Sequence, residues 1–260
     1  LCSVEALSTW DMSSVISMRY TCARCSKLSD LSYLSDWNVG NVTDMRNLFA
    51  GCNSLTSLDG LNSWNVGMVT NMDYLFSGCT KLGTLEGISS WNVSNVTRMS
   101  HMFNNCKSVS TLRGLSGWDV SDVKNMDNMF QRCSSLTNLE GLEGWKTDSL
   151  VSTDSGSSSE WGMFGYCYGL EDVSALSGWN MSNVSTLRGM FYDCEKLSGI
   201  SSLSDWNTSS VTSMENMFYN CFSLVDITPV LDWNTGKVTR MSGMFRGVQM
   251  TSLDALSDWD

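Results

Sequence analysis

Apolar residues recur at nearly every third position of the chain, and this pattern predicts a small coil. In one unit they stand 2, 5, 8, 11, 12, 15, 18, 21 and 24 residues after a tryptophan, as Val39, Val42, Met45, Leu48, Phe49, Cys52, Leu55, Leu58 and Leu61. This spacing fits neither the strict alternation of a half-exposed strand nor the 3.6-residue period of a long helix. We therefore expect two short extended segments and one helical turn per coil. The turn is expected at Met-Phe-x-x-Cys, whose first and last residues are four apart and share a helix face.

The same pattern returns about every 27 residues, which identifies the chain as a repeat protein. Tryptophan marks each unit, at Trp10, Trp37, Trp64, Trp91, Trp118, Trp145, Trp179, Trp206, Trp233 and Trp259. A phenylalanine stands three residues before the cysteine of most units, and the cysteines are Cys25, Cys52, Cys79, Cys106, Cys133, Cys167, Cys194 and Cys221. Self-similarity at this period is typical of a solenoid. We expect one domain over residues 1–260, a stack of about nine to ten coils in which each coil touches only its neighbours.

Two polar or small positions of the unit predict corners. Asparagine or aspartate follows the tryptophan in most units, and such a side chain can bond the backbone two residues later. A second corner carries Gly60, Gly87, Gly114 and Gly141, with Ala175 and Pro229 in later units. Glycine there indicates little room for a side chain or an unusual backbone angle.

Charge and composition exclude several classes of protein. The net charge is -11, and the 16 basic residues are scattered through the units. A nucleic-acid binder would gather its basic residues on one face, so DNA and RNA are not expected as partners. No apolar run approaches ~18 residues, so no membrane span is expected. The chain begins and ends within a unit and shows no polar capping unit, and we expect it to be the interior of a longer protein.

The run from Trp91 to Met99, which reads W-N-V-S-N-V-T-R-M, and the following Met102-Phe103-x-x-Cys106 resemble a known repeat. They are similar to the BspA-type leucine-rich repeat of bacterial and protist surface proteins, and the similarity covers essentially the whole chain. The resemblance implies a leucine-rich-repeat-like solenoid, exposed on or secreted from a cell, with no catalytic residues. Here the leucine spacing is three and three instead of three and two, a departure that bears on curvature.

Cysteine and histidine offer no clear chemistry. Because the regular cysteines point inward, we interpret them as a ladder of small buried hydrophobes. The surplus Cys2 and Cys22 leave a Cys22–Cys25 or a Cys2–Cys22 disulfide open. His101 occupies a column otherwise filled by tyrosine and asparagine, and we expect it to be exposed. No phosphate-binding loop or calcium-binding motif occurs, so no metal, no cofactor and no enzymatic activity are predicted.

The sixth unit departs from the period. It carries seven extra residues in a Ser- and Asp-rich segment, and we expect residues 146–160 to form an inserted loop. Aromatic residues crowd the polar positions of this unit and the next two, where earlier units have glycine, asparagine or lysine. We predict an exposed partner-binding patch made of Trp161, Tyr166, Tyr168, Tyr192, Tyr219 and Phe222. The alternative is that the inserted loop or a neighbouring subunit covers these residues.

Three functions remain open from the sequence. The first is a non-catalytic cell-surface or secreted scaffold for protein recognition or adhesion, with a protein or a glycan as partner. The second is a structural subunit of an extracellular filament, sheath or large assembly, whose partners include copies of the same chain. An ice-binding solenoid is a third, because a column of threonines comprises Thr43, Thr70, Thr97, Thr212 and Thr239. Lys124 and Ser185 interrupt that column, which argues against a regular ice-binding face.

Overall fold

The structure is a computed structural model that describes residues 7–157 and 161–250. The chain forms a stack of coils, and each coil begins at one of the regularly spaced tryptophans. We number coils 1 to 9 by their first residues, Trp10, Trp37, Trp64, Trp91, Trp118, Trp145, Trp179, Trp206 and Trp233. The last tryptophan of the pattern, Trp259, lies outside the described residues. The repeat fold is therefore present, and it arises from side chains that recur at the same place in successive coils.

Neighbouring coils are joined by single parallel β-bridges, so the predicted short strands are wrong for the described residues. The bridges are Ser17–Asp44, Asp44–Asn71, Asn71–Arg98, Arg98–Asn125, Asn125–Ser152, Asp172–Gly199, Thr186–Ser213 and Ser213–Arg240. After the bridged residue Arg98 of coil 4, alternate backbone N–H groups donate to the next coil and to their own coil. The N–H groups of His101 and Phe103 donate to the carbonyls of Asp127 and Met129, whereas that of Met102 donates to Met99. No continuous strand can form from such an alternation.

The predicted helical turn at Met-Phe-x-x-Cys is also wrong. In coil 4, His101 directly precedes this segment and Asn105 lies within it, with φ of 58° and 60°. A right-handed helix cannot contain such left-handed residues, so the chain runs through consecutive tight turns instead. Helical structure occurs at the second corner, as short 3₁₀ helices at Ser32–Leu34, Glu86–Ile88, Arg113–Leu115, Ser174–Leu176, Ser201–Leu203 and Thr228–Val230.

The second corner leaves little room for side chains, as its glycines suggest. Gly60 has a φ of 96°, and an added Cβ would meet the carbonyl group of Leu31 in the preceding coil. At Gly114, an added Cβ would come within 2.6 Å of the Leu85 carbonyl. Pro229 lies in the first turn of its 3₁₀ helix, where a missing N–H costs nothing. Each corner thus brings two successive coils into backbone contact.

Stacked aromatic rings fill the core. Six pairs of successive tryptophan rings stack with centroids 6.0–6.5 Å apart, and successive phenylalanine rings lie 5.6–5.9 Å apart. The indole N–H is also satisfied inside the stack, since Nε1 of Trp64 donates to the Leu34 carbonyl of the preceding coil at 2.8 Å. The same bond recurs in coils 2 to 9 of the described chain. Because each buried indole N–H must bond one particular carbonyl of the preceding coil, these bonds fix the register between successive coils.

The described cysteines are all free, and the regular ones form a ladder. Each thiol from Cys52 to Cys221 is buried and donates to a carbonyl of the preceding coil, as Cys106 Sγ does to Phe76 at 3.2 Å. Burial raises the pKa of the Cys52 thiol to about 12, so these groups stay protonated. The interpretation as buried hydrophobes is confirmed for Cys52 to Cys221, whereas Cys25 is only partly buried. The Cys22–Cys25 disulfide is absent, and Cys2 lies outside the described residues.

The segment of coil 6 that departs from the stack, which we call the excursion, is shorter than the predicted loop 146–160. Thr147 and Thr153 are buried in the positions that valine and methionine take elsewhere. They can be buried because their hydroxyls donate to the Asn180 and Thr186 carbonyls of coil 7. The chain leaves the coil only after Asp154.

His101 is buried, so its predicted exposure is wrong. Only 3% of the residue is accessible, and its ring stacks on that of Tyr74 with centroids 4.3 Å apart. The residues of its column share a backbone conformation and not solvent exposure. All have positive φ, and they are Tyr20, Asn47, Tyr74, His101, Asn128, Gly189, Asn216 and Gly243. Asparagine, glycine and histidine are enriched there because they tolerate the left-handed region.

Candidate recognition face

One face of the stack is continuous from coil 1 to coil 9 and carries the predicted patch. It is built on two adjacent columns, thirteen and fourteen residues after the tryptophan once the seven extra residues of coil 6 are left out. The N–H of each residue in the second column donates to the carbonyl of the first column in the next coil, from Arg24 to Ala50 (2.6 Å) through to Asn220 and Arg246 (2.7 Å). The first column consists of Ala23, Ala50, Ser77, Asn104, Gln131, Gly165, Tyr192, Tyr219 and Arg246.

Three of the predicted patch residues form a stack of rings on this face. Trp161 and Tyr192 have centroids 4.8 Å apart and planes within 4°. Tyr192 and Tyr219 are 4.6 Å apart and within 5°. We call Trp161, Tyr192 and Tyr219 the aromatic column.

The excursion brings Trp161 into this column. The coil's own residue at that position is Gly165, and an added Cβ would lie 2.6 Å from the Trp161 carbonyl oxygen. That carbonyl accepts hydrogen bonds from Gln131 Nε2 at 2.7 Å and from Asn128 Nδ2 at 3.1 Å. A side chain from the excursion thus fills the place that the repeat leaves empty in coil 6.

Arginines cover both ends of the aromatic column. The Arg188 guanidinium lies 4.0 Å from the Trp161 ring centroid, and that of Arg246 lies 5.3 Å from Tyr219. Arg188 also pairs with Asp154 at 3.0 Å, and both side chains are buried. Burial raises the pKa of Asp154, and the adjacent guanidinium offsets only part of that effect. The ring faces are therefore occupied, and the column offers ring edges and hydroxyl groups to solvent.

The other predicted residues lie beside the column. Tyr166 approaches Tyr192 at 5.2 Å and Tyr168 at 6.2 Å, and Arg132 lies 5.0 Å from the Tyr166 ring centroid. Among the described residues, Phe222 has no ring contact with the other five. It occupies the same position of coil 8 as Tyr168 does of coil 6, and both are exposed.

Two carboxylates accompany these aromatics. Asp193 accepts a hydrogen bond from Asn220 Nδ2 at 2.8 Å, and burial raises its pKa. Glu195 follows two residues later, between Tyr168 and Phe222 in their column. Burial, and next the nearby Asp193, raise the pKa of Tyr192 to about 12. This end of the face thus combines aromatic rings with these two carboxylates and with the arginines that cover the rings.

The opposite end of the same face is a groove. Here the first column holds only small residues, and an opening of about 580 Å³ is lined by Tyr20, Ala23, Arg24, Asn47, Ala50, Gly51 and Ser77. This groove was not predicted from the sequence, although the run of alanine, alanine and serine in one column indicates it. The arginines that cover the aromatic column were not predicted either.

The described residues contain no group of three or more histidine, cysteine or acidic side chains placed to hold a metal ion. None of the helices among the described residues is long and apolar enough to cross a membrane.

Several solved structures of bacterial proteins resemble the chain weakly. A leucine-rich repeat protein from Eubacterium ventriosum is 15% identical over 82% of this chain and 64% of its own, with a TM-score of 0.39. A leucine-rich repeat protein from Bacteroides ovatus is 13% identical over 91% and 69%, with a TM-score of 0.32. A leucine rich cell surface protein from Faecalibacterium prausnitzii is 17% identical over 93% and 71%, with a TM-score of 0.29.

The chain spans less than two thirds of the length of the first of these structures. All three TM-scores lie below 0.5, and we infer neither fold nor function from them. No curated protein matches the chain in sequence.

One family model matches nearly the whole sequence, in three segments at residues 2–110, 56–160 and 158–260. Successive matches of this kind agree with a chain built from copies of one unit. The chain belongs to the family described as Mycoplasma protein of unknown function, DUF285.

Proposed function

We propose that this protein is a non-catalytic recognition scaffold of the cell surface or the extracellular space, and that its aromatic patch binds a protein partner. The patch is the predicted set of Trp161, Tyr166, Tyr168, Tyr192, Tyr219 and Phe222. One observation carries the proposal. At coil 6 the repeat is interrupted, and the extra residues deliver Trp161 into an aromatic column on an otherwise polar face. The interior phenylalanine ladder continues through coil 6 from Phe130 to Phe191 without this ring, and Trp145 stacks on Trp179.

The surface location rests on the resemblance to BspA-type leucine-rich repeats, whose members are mostly discussed as adhesion or recognition proteins. The repeated W-N-V-S-x-V-T-x-M motif supports that assignment.

The geometry favours a protein over a glycan as the partner. A sugar ring stacks on an open aromatic face, but the faces in the aromatic column are covered by neighbouring rings and by Arg188 and Arg246. Ring edges and phenol hydroxyls suit protein carbonyl groups and side chains instead. Tyrosine, tryptophan and arginine are also the residues that carry most binding energy at protein interfaces.

The test is capture of partners by the purified 260-residue chain and by a Tyr168→Ser/Phe222→Ser variant. Both rings are exposed, with 43% and 46% of their surface accessible, so folding is not expected to change. The chain is immobilised and exposed to surface proteins of its own cell and of a host cell, and the captured proteins are quantified by mass spectrometry. We expect one or more proteins to be captured at least fivefold less by the variant.

A matched control is Tyr33→Ser/Met68→Ser, which also removes one exposed tyrosine and one exposed apolar side chain, in coils 1 and 3. This control is expected to capture partners as the wild type does. Equal capture by all three chains would show that the patch is not the recognition surface.

A structural role in an extracellular assembly is the second candidate. The observation that favours it is the groove, because one face then carries both an aromatic projection and a depression.

A further inference from the structure

The two ends of the recognition face differ in shape and in charge, although they share one backbone. Over coils 1 to 3 the first column holds Ala23, Ala50 and Ser77 and forms the groove. Over coils 6 to 8 the equivalent places hold the aromatic column. An end whose first column holds only small side chains and an end whose first column holds large rings lie on the same continuous face.

We propose that the groove is a docking site for the aromatic column of a second copy of this chain. This inference rests on the proposed function, since it uses the same patch and names its partner. In the resulting pair the two stacks are antiparallel and face each other, so that the column of each copy enters the groove of the other.

The lengths agree. The three rings of the column are spaced by 4.8 and 4.6 Å along the stack. The groove spans three successive coils, whose backbones lie about 4.8 Å apart. Each ring of one copy therefore meets one coil of the other, with Tyr192 opposite Ala50 and Tyr219 opposite Ala23.

The charges agree as well. Arg24 lines the groove and Lys27 follows it in the same coil, and neither forms an ion pair with a described residue. On the aromatic side, Asp193 and Glu195 lie within two coils of both tyrosines, and no described cation pairs with Glu195. Docking would bring the unpaired cations of one copy near these carboxylates, which favours the correct approach of the two faces.

The proposed antiparallel pair has twofold symmetry. An antiparallel arrangement places coils 1, 2 and 3 against coils 8, 7 and 6, with the twofold axis between coils 4 and 5. At that place the first-column residues Asn104 and Gln131 bond each other at 2.8 Å within one copy, and Arg132 of the second column lies over the Tyr166 ring. Both contacts of such an isologous interface form together, and association stops at two copies.

The first measurement is sedimentation equilibrium of the purified 260-residue chain at low salt, from 1 to 200 µM. We expect a monomer–dimer equilibrium with a Kd in the micromolar range that weakens as salt is added. A chain that stays monomeric throughout, or that grows beyond two copies, would overturn the proposal.

Two variants then test the groove and the aromatic column separately. Ala50→Trp fills the groove with a side chain, and Tyr192→Ser/Tyr219→Ser removes two rings of the column. Each variant alone is expected to raise the Kd at least tenfold. An equimolar mixture is expected to associate more tightly than either variant alone, because one intact groove still meets one intact column. A mixture no tighter than its components would contradict the antiparallel pair.

The electrostatic contribution is tested by Arg24→Glu, with Lys237→Glu as a control of equal charge change outside the two docking surfaces. We expect Arg24→Glu to weaken the dimer several-fold and Lys237→Glu to leave it unchanged. Equal effects would show general charge repulsion and remove the assigned contact.

These outcomes also distinguish this inference from the proposed function. If the purified chain stays monomeric while the Tyr168→Ser/Phe222→Ser variant still loses a foreign protein, self-docking fails and the recognition function stands. If the chain dimerises and no foreign protein depends on the patch, the second copy is the partner of this surface.

Discussion

The groove end and the aromatic end of one face differ in side chains but not in backbone. In both, the same N–H groups donate to the same carbonyls of the next coil, from Arg24 and Ala50 in coils 1 and 2 to Asp193 and Tyr219 in coils 7 and 8. Column thirteen holds alanine at one end and tyrosine at the other. The comparison shows that the backbone of this repeat does not depend on its outward residues, so one end can be altered without the other.

The two ends also differ in how their charges are held. At the groove end, Asp44 pairs with Arg46 at 2.7 Å, and 34% of the arginine side chain is exposed. At the aromatic end, Asp154 pairs with Arg188, and the exposed fractions are only 1% and 10%. A buried pair depends much more on both of its members than an exposed one, because a charge left inside has no water to replace its partner.

The largest effect is therefore expected from Asp154→Ala. This change removes the carboxylate beside the buried Arg188, and it should lower the free energy of unfolding by about 3–5 kcal/mol. Asp44→Ala is the control at the groove end and should cost no more than about 2 kcal/mol, because its pair is solvated. Urea unfolding followed by tryptophan fluorescence measures both. Similar losses in the two variants would remove this distinction between the ends.

A second prediction concerns the core that both ends share. Trp64→Phe and Trp206→Phe each delete an indole N–H, which bonds the carbonyl of Leu34 or of Leu176, and each leaves a small cavity. We expect each variant to lose about 2–3 kcal/mol of stability. Because both indoles occupy the same position in their coils and bond the preceding coil in the same way, the two losses should agree within about 0.5 kcal/mol. A difference larger than about 1 kcal/mol would show that the coils are not equivalent inside.

The smallest effect is a pH dependence confined to the aromatic end. The pKa of Tyr192 is raised to about 12, mainly by burial, so the folded state disfavours the phenolate. The stability contributed by the protonated phenol is present below pH 10 and is lost as pH rises towards 12. Absorbance at 295 nm should show a late-titrating tyrosine component, to which Tyr168 also contributes because burial raises its pKa, and Tyr192→Phe should reduce this component. If Tyr192→Phe leaves the titration curve unchanged, this environment has been assigned incorrectly.

Sequence periodicity was sufficient to predict which side chains share a column. Trp64 and Trp91 stack as their spacing requires, and the aromatic residues around Tyr192 come together because they occupy neighbouring columns of adjacent coils. Such predictions need only a constant number of residues per coil. They hold whatever path the backbone takes between two equivalent positions.

The backbone path itself was not predictable from the same pattern. The four-residue step from Met102 to Cys106 is compatible with a helix and equally with a series of tight turns. The deciding residues are His101 and Asn105, whose left-handed conformation is also adopted by Tyr74 in the same column as His101. Because tyrosine rarely takes this conformation, the column looked like a polar surface, and the burial of His101 was missed.

The excursion after Asp154 was located but its length was not. Serine- and threonine-rich sequence resembles a loop, yet hydroxyls that bond neighbouring carbonyls let Thr147 and Thr153 remain inside the coil. The arginine caps depend on the position of Trp161, which the excursion sets.

On both sides of this excursion the coils keep their register. The Met126 N–H donates to Ser152, 26 residues ahead, and the Phe130 N–H donates to Met163, 33 residues ahead, with equally short bonds of 3.0 Å. The stack thus tolerates additional chain at this point without disturbance to the coils before or after it. Over evolution, this segment can be lengthened or exchanged while the stack of coils is retained. In the laboratory, it is a suitable position for inserting an epitope or a small domain.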